Sequence, residues 1–214
     1  MVVEMGEGEG INSHRLHKSR SRASSPIVHH CIFPRLNIDT TTTTTKMAAP
    51  ENTASGIPPA DSNAAILDHI TTYHSTRCCA SPIYAFLLGT ATDPIIRFTS
   101  ASKGLFTARL ILGSQHLNSA GGIHGSVSAT IVDWAGGLAI AAWDLRGATG
   151  VSVDINISYL SSAKLGDEVE IEGRVERVGA NLAFTEVRIW KVVGGERGTM
   201  VISGRHTKFV RASK

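Results

Sequence analysis

The sequence predicts an α+β domain in which an antiparallel sheet wraps around one long central helix. The main observation is an apolar segment without proline, Ile123 to Leu145, which is longer than strands usually are and therefore predicts a helix. Because it is apolar on nearly every face, this helix must be buried on most sides. Two strand-like segments precede it and four follow it, which supplies the sheet. Gly136 and Gly137 would each cost about 1 kcal/mol inside a helix, so we expect a neighbouring backbone to pack closely there.

The strand-like segments alternate apolar and polar residues and are separated by turn residues. They comprise residues 95–101, 105–112, 151–159, 168–177, 182–191 and 199–210. The first two are joined by a turn containing Gly104, whose backbone freedom suits a tight connection. The alternation in the last four predicts antiparallel strands with one face buried and the other in water.

The chain before the first strand divides into two parts. Residues 1–65 have no sustained periodicity and include a run of threonines from Thr40 to Thr45, which predicts a disordered extension. Residues 66–212 form the predicted domain, and Met47 offers an alternative start that would leave it intact. The domain begins with a short amphipathic helix over residues 66–80. Asp61 or Ser62 would cap this helix, and Pro82 marks a boundary near its end.

Charge and cysteine content exclude several classes of protein. Residues 1–46 hold six Lys/Arg and four Asp/Glu, whereas residues 47–214 hold fifteen and fourteen. The predicted domain is therefore nearly neutral, which argues against non-specific nucleic-acid binding. The three cysteines, Cys31, Cys78 and Cys79, form no disulfide framework and favour the cytoplasm. The basic, serine-rich residues 13–22 make a mitochondrial address the alternative, although acidic residues precede them.

Membrane and metal signals are weak. The most apolar run, Ala135 to Trp143, is too short to cross a bilayer, so we expect no membrane span. The nine histidines are scattered and no ligand cluster is evident, so we expect neither a metal ion nor a cofactor.

One carboxylate lies inside the apolar central helix. An ionised Asp133 between Val132 and Trp134 is costly unless it has partners or a task. The helix begins beside His124 and Gly125, and backbone N–H groups at a helix start can stabilise a developing oxyanion. Asn118 could add an amide donor. Each of these residues alone could be merely structural, but their combination favours a catalytic site.

Several motifs resemble the hotdog-fold acyl-CoA thioesterases, in particular the thioesterase superfamily member 2 and phenylacetate-pathway type. They are His116-Leu-Asn-Ser-Ala-Gly-Gly-Ile-His-Gly125, Ala129-Thr-Ile-Val-Asp133 and Gly150-Val-Ser-Val-Asp-Ile-Asn-Ile-Ser-Tyr159, continued by Ser162-Ala-Lys-Leu-Gly166 and Gly204-Arg-His-Thr-Lys208. The resemblance covers roughly residues 66–210. It implies a hotdog fold, pairing into dimers that associate as a dimer of dimers, and hydrolysis of fatty or aryl acyl-CoA, with coenzyme A as part of the substrate.

The resemblance also implies a role for each residue of a site shared between two subunits. Asp133 of one subunit would act as general base or nucleophile, and Ser152 would orient the attacking water. From the other subunit, the N–H of Gly125 would polarise the thioester carbonyl. Asn118 would position the substrate or water, and His124 would support the oxyanion. Ser126 departs from the family pattern, in which a second glycine is common.

For the coenzyme, the resemblance implies binding by two segments of the chain. These segments contribute Tyr159, Ser161 and Lys164, and Arg177, Gly179 and Asn181. Lys164 and Arg177 are natural partners for phosphates, although both could equally be solvated charges at strand ends. Ala180 stands where relatives can carry lysine.

Two other functions are compatible with the same fold. One is a non-catalytic hotdog domain that binds an acyl ligand or serves as a scaffold, for which a buried Asp133 would be unnecessary. The other is a hotdog hydratase or dehydratase, which typically places its catalytic histidine and acid differently.

Overall fold

The computed structural model describes residues 62–211. The disorder expected for residues 1–65 and the alternative start at Met47 concern residues that lie almost wholly outside this range.

The described chain forms an α+β domain, as the sequence predicts. Its helices are α1 (Asn63–Tyr73), a π-helical turn (His74–Cys78), α2 (Pro82–Leu88), a 3-10 turn (Ser114–His116) and α3 (Gly125–Asp144). Its strands are β1 (Arg97–Ser102), β2 (Leu105–Ile111), β3 (Val151–Tyr159), β4 (Glu168–Val178), β5 (Leu182–Val193) and β6 (Glu196–Phe209). All six predicted strands and the long helix are therefore present.

The six strands form one antiparallel sheet in the order β1-β2-β4-β5-β6-β3. Helix α3 lies against this sheet, and its central residues from Ile131 onward are almost all buried. Gly173 on β4 makes the approach close, because a Cβ there would stand 2.8 Å from the carbonyl oxygen of Ala135. The sheet and α3 together enclose the apolar core.

The glycine pair of α3 meets side chains rather than a neighbouring backbone, so that expectation is wrong. A Cβ on Gly136 would stand 2.7 Å from Nδ1 of His206 and 2.8 Å from Oγ1 of Thr185. A Cβ on Gly137 would stand 3.2 Å from Oγ1 of Thr149. The glycines therefore make room for polar side chains of β5, β6 and the loop before β3.

The N-terminal helices differ from the single helix expected. Ser62 caps α1 as predicted, because its hydroxyl accepts the N–H of Ala65 at 3.2 Å. Pro82 begins a second helix, α2, which the sequence reading missed. A proline both disfavours a helical residue before it and suits the first position of a new helix, so one signal ended one helix and started the next.

Helix α3, with 20 residues, is longer than the run from Ala135 to Trp143 that the sequence offers as its most apolar. Its most apolar 18-residue window has a mean hydropathy of 1.2, so by length and composition alone α3 could cross a membrane, and the expectation that every apolar run is too short is wrong. However, 72 % of its most apolar window is buried inside the domain. The core helix of a soluble protein has the same properties.

Strand β3 lies at one edge of the sheet and leaves apolar side chains in solvent. Val151, Val153 and Tyr159 are each more than half exposed, and Ile155 is 38 % exposed. An edge strand of nine residues with uncovered backbone groups and apolar side chains is suited to pairing with another strand.

Candidate active site

The carboxylate of Asp133 receives hydrogen bonds from two different elements. The hydroxyl of Tyr84 on α2 donates to Oδ2 at 2.6 Å, and the hydroxyl of Ser152 on β3 donates to Oδ1 at 3.1 Å. The Asp133 side chain is 34 % exposed, so it is half-buried rather than enclosed in the core. The structure therefore brings together two of the predicted catalytic residues, Asp133 and Ser152.

Strand β6 adds to this site two residues for which the sequence predicted no role. Nε2 of His206 lies 2.9 Å from Oγ of Ser152 and 3.6 Å from Oδ1 of Asp133. Nζ of Lys208 lies 3.4 Å from the same Ser152 oxygen and 3.6 Å from Oδ1. Both residues lie in the Gly204-Arg-His-Thr-Lys208 motif. Their period-2 spacing places them on one face of the strand, which is the signal that could have identified them.

The protonation of this cluster follows from its hydrogen bonds. Burial alone would raise the pKa of Asp133, but the Tyr84 hydrogen bond, nearby Lys208 and His206 and the Ser152 hydrogen bond together hold this pKa below its usual value. Burial lowers the pKa of His206 to about 4, so its imidazole is neutral at pH 7. Because the Ser152 hydroxyl donates to Asp133, its oxygen accepts the Nε2–H of His206.

A cavity of about 120 Å³ opens beside Asp133. It lies between α3 and the N-terminal helices, and its lining includes Tyr73, Arg77, Cys78 and Leu138. The Asp133 carboxylate therefore borders a space that a small group can enter. Trp134, the neighbour of Asp133 on α3, lies in the aromatic core, where its Nε1–H donates to Nδ1 of His74 at 3.2 Å.

The predicted oxyanion site lies at the start of α3. His124 is the N-cap, and its Nδ1 accepts from the backbone N–H and the hydroxyl of Ser126 at 3.1 and 2.7 Å. The proton of a neutral His124 is therefore on Nε2. Gly125 begins the helix, and within the described residues its N–H donates to no other group. The ring of Tyr159 packs here, and its hydroxyl donates to the Gly125 carbonyl at 3.1 Å.

Asn118 organises the loop that leads into this helix start. Its Oδ1 accepts the backbone N–H groups of Ala120 and Gly122 at 2.9 and 3.2 Å. Among residues 62–211 its amide nitrogen has no hydrogen-bond partner. Asn118 therefore holds the loop with its oxygen and has an amide available for donation.

Within one chain, the two parts of the predicted site are apart. Asp133 lies eight residues beyond Gly125, which is about 12 Å along a helix axis. Across residues 62–211, Asp133 makes no hydrogen bond or ion pair with Asn118, His124 or Gly125. This separation agrees with the division between two subunits that the resemblance implies.

The residues predicted to bind the coenzyme also fall into two groups. The backbone of Lys164 forms an isolated β-bridge with that of Gly122, so Lys164 lies beside the start of α3, near Tyr159. Ser161 is close in sequence and donates its hydroxyl to the Met200 carbonyl at 2.8 Å. Lys164 and Tyr159 belong to the same end of β3 as Gly125.

The other group lies in the turn between β4 and β5. Gly179 closes this turn with a hydrogen bond from its N–H to the Leu182 carbonyl at 2.7 Å, and Asn181 accepts from Val210 at 2.9 Å. Arg177, next to the turn, is exposed. Since Phe209 pairs with Val151, this turn lies at the end of β3 opposite Tyr159.

The described residues include no group of three or more His, Cys, Asp and Glu side chains that could hold a metal ion.

Comparison with known proteins agrees with this fold. Residues 120–197, which include Gly125 and Asp133, match the thioesterase superfamily. Acyl-coenzyme A thioesterase 13 of Homo sapiens is 39 % identical over 113 residues, which are 53 % of this chain and 78 % of the relative. The crystal structure of zebra fish thioesterase superfamily member 2 aligns with a TM-score of 0.55 and 31 % identity, covering 68 % of this chain and 96 % of that chain.

A structure of the E. coli PaaI protein from the phenylacetic acid degradation operon has a TM-score of 0.51 and covers 67 % of this chain and 96 % of that chain. At 18 % identity this likeness concerns the fold alone.

The sheet, the long helix and the matched relatives define a hotdog-fold thioester hydrolase. The chain belongs to the thioesterase superfamily.

Proposed function

We propose that this chain hydrolyses acyl-CoA thioesters to a free acid and coenzyme A. The observation that carries the proposal is the Asp133 carboxylate, which is kept ionised beside a cavity and accepts a hydrogen bond from the hydroxyl of Ser152. An ionised carboxylate next to a polar group can activate water for attack on a thioester. The human relative named acyl-coenzyme A thioesterase 13 supplies the substrate class.

The proposed reaction uses Asp133 as general base. Asp133 removes a proton from a water molecule that Ser152 orients, and the oxygen of that water bonds to the thioester carbon. The negative charge on the carbonyl oxygen is stabilised by the Gly125 N–H at the positive end of α3. When the carbon–sulfur bond breaks, the thiolate leaves and takes up the proton from Asp133. In a second route, the Asp133 carboxylate attacks the thioester carbon directly, so that the carbon–sulfur bond breaks and an anhydride forms. Water would then hydrolyse the anhydride and release the free acid.

We also propose that each active site is built from two chains. Within one chain, Asp133 and Ser152 belong to one end of β3, and Gly125 and Tyr159 to the other. Antiparallel pairing of two β3 edges about a twofold axis would bring the first end of one copy beside the second end of its partner. The exposed apolar side chains of β3 support this pairing. Such dimers would associate further as dimers of dimers.

The same arrangement would assemble the coenzyme site. Lys164 and Tyr159 would come from the chain that supplies Gly125, and the Arg177 turn from the chain that supplies Asp133. The acyl group, fatty or aryl, would enter the space beside Asp133. Cys78 and Cys79 are free thiols, which supports a reducing compartment such as the cytoplasm, with a mitochondrial address as the alternative.

A thiol-release assay across acyl-CoA chain lengths and aryl acyl-CoA tests the activity. Wild type should release thiol from at least one substrate, and Asp133→Ala should reduce kcat by on the order of a hundredfold or more, because general base catalysis contributes that much. Circular dichroism and thermal unfolding of both proteins provide the control for folding. Equal turnover by the two proteins would contradict the proposed role of Asp133.

A further inference from the structure

Tyr84 is a polar residue at the proposed site that the sequence reading did not consider. It lies on α2, a helix that belongs neither to the sheet nor to the central helix α3. Its hydroxyl donates to Oδ2 of Asp133 at 2.6 Å, a shorter distance than the 3.1 Å from Ser152 to Oδ1. The two oxygens of the Asp133 carboxylate therefore accept hydrogen bonds from two different elements, Oδ2 from α2 and Oδ1 from β3.

Buried contacts hold helix α2 in place and thereby fix the position of Tyr84 beside Asp133. Leu87 and Leu88 are buried in the core. The fully buried His116 accepts the Gly113 N–H on Nδ1 at 2.8 Å, so its proton lies on Nε2, which donates to the Leu87 carbonyl at 2.7 Å. His116 thereby connects α2 to the loop that precedes Asn118.

The phenol of Tyr84 keeps its proton near neutral pH and donates a hydrogen bond to Asp133. Burial, the hydrogen bond to Asp133 and the negative charge of Asp133 all raise the pKa of Tyr84 above its ordinary value. Among the groups that hold the pKa of Asp133 down against burial, the Tyr84 hydrogen bond has the largest effect. A neutral donor of this kind stabilises the carboxylate and fixes its rotation.

Other titratable groups around Asp133 come from every element packed against it. They are Tyr73 on α1, Arg77 and Cys78 on the π-helical turn, Asp154 on β3, and His206 and Lys208 on β6. Of these, His206 also titrates in acid, with a pKa of about 4, so a pH profile of activity alone would not isolate Asp133.

We propose that Tyr84 is a positioning residue of this active site: its hydroxyl holds Oδ2 of Asp133 and leaves Oδ1, beside Ser152, to accept the proton of the attacking water. The proposal rests on the function proposed above. It assigns to α2 a part in catalysis, because any displacement of this helix would release one oxygen of the base.

The test compares Tyr84→Phe with Tyr73→Phe. Tyr73 lines the same cavity, but its hydroxyl lies 3.5 Å from Oγ1 of Thr149 rather than on Asp133. With the best substrate of the acyl-CoA panel, Tyr84→Phe should lower kcat on the order of tenfold, the loss expected for one hydrogen bond to a charged group, with KM changed less than about twofold. The acid limb of kcat/KM should move to higher pH. Tyr73→Phe removes a hydroxyl from the same cavity but not from Asp133, so it should leave the acid limb at its wild-type pH whatever its effect on kcat.

A substrate-free measurement separates this proposal from the proposed function. In protein labelled with ¹³C at the aspartate carboxyl carbon, the resonance lost in Asp133→Asn identifies Asp133, and its titration should have a higher midpoint in Tyr84→Phe than in wild type. An unchanged midpoint in Tyr84→Phe, or an equal shift of the midpoint in Tyr73→Phe, would overturn the role of Tyr84. Absence of thiol release by wild type would instead refute the proposed function, whatever the midpoint.

Discussion

At the scale of single residues, the site combines a carboxylate kept ionised with a histidine kept neutral. Asp133 has hydrogen bonds from Tyr84 and Ser152 and a nearby lysine, and these offset the cost of partial burial. His206 is almost fully buried, so it is a neutral imidazole at pH 7 and donates its Nε2–H to Ser152. Protonation of His206 in acid would therefore place an additional buried charge beside this cluster.

The buried histidines predict a loss of stability in acid. Burial lowers the pKa of His206 and of His74 from 6.5 to about 4, so between these values the unfolded chain binds protons that the folded chain does not. Stability is thus full above pH 6.5 and falls as the pH drops towards 4, by at most about 3 kcal/mol for each residue. Asp133 contributes in a separate range, since its lowered pKa places its loss below pH 4.

Urea unfolding at pH 7 and pH 4.5, at one protein concentration, measures this effect. The free energy of unfolding of wild type should be smaller at pH 4.5, and His206→Gln should reduce the difference. The prediction is wrong if wild type has equal stability at the two pH values, or if His206→Gln leaves the difference unchanged.

At the scale of elements, helix α3 carries residues of both parts of the proposed site, Gly125 and Asp133, and so fixes the distance between them. Gly125 begins the helix and Asp133 lies two turns further on. His206, one of the polar neighbours of Asp133, packs against Gly136, which leaves room for it and for Thr185. Close packing in this region thus serves the site as well as the core.

A methyl group at Gly136 should disturb both. Gly136→Ala would place a Cβ 2.7 Å from Nδ1 of His206 and 3.2 Å from its Cβ, and overpacking of this kind costs about 1–3 kcal/mol. We expect a lower melting temperature and a lower kcat. Gly147→Ala is the matched control, because a Cβ there would meet no atom within 4 Å. Equal melting temperatures and rates for the two variants would argue against tight packing at Gly136.

The sequence predicted regular elements well and distant partners poorly. Alternation and apolar length identified β1 to β6 and α3 because these signals are local. The hydrogen bond from Tyr84 to Asp133 joins residues 49 positions apart, and that from His206 to Ser152 joins residues 54 positions apart, so local spacing could place His206 and Lys208 on one face of β6 but could not reveal these contacts. Asp133 and Gly125 were accessible because a lone carboxylate and a helix start are visible in sequence, whereas the role of Ser152 was implied only by the family resemblance.

At the scale of the whole molecule, the two halves of the proposed site lie at opposite ends of β3 within one chain. Asp133 and Ser152 make up one proposed half, and Asn118 and Gly125 make up the other. The exposed edge of β3 offers a surface on which a second copy can align the halves. A twofold dimer would then contain two equivalent sites, each needing both chains.

Complementation between Asp133→Ala and Asn118→Ala chains tests this shared site most directly. Each variant alone should be nearly inactive, because both of its sites lack one residue. In a heterodimer purified through two different tags, one site carries both substitutions and the other carries neither, so thiol release should recover to about half the wild-type rate per dimer. A verified heterodimer no more active than either parent would contradict a site built from two chains.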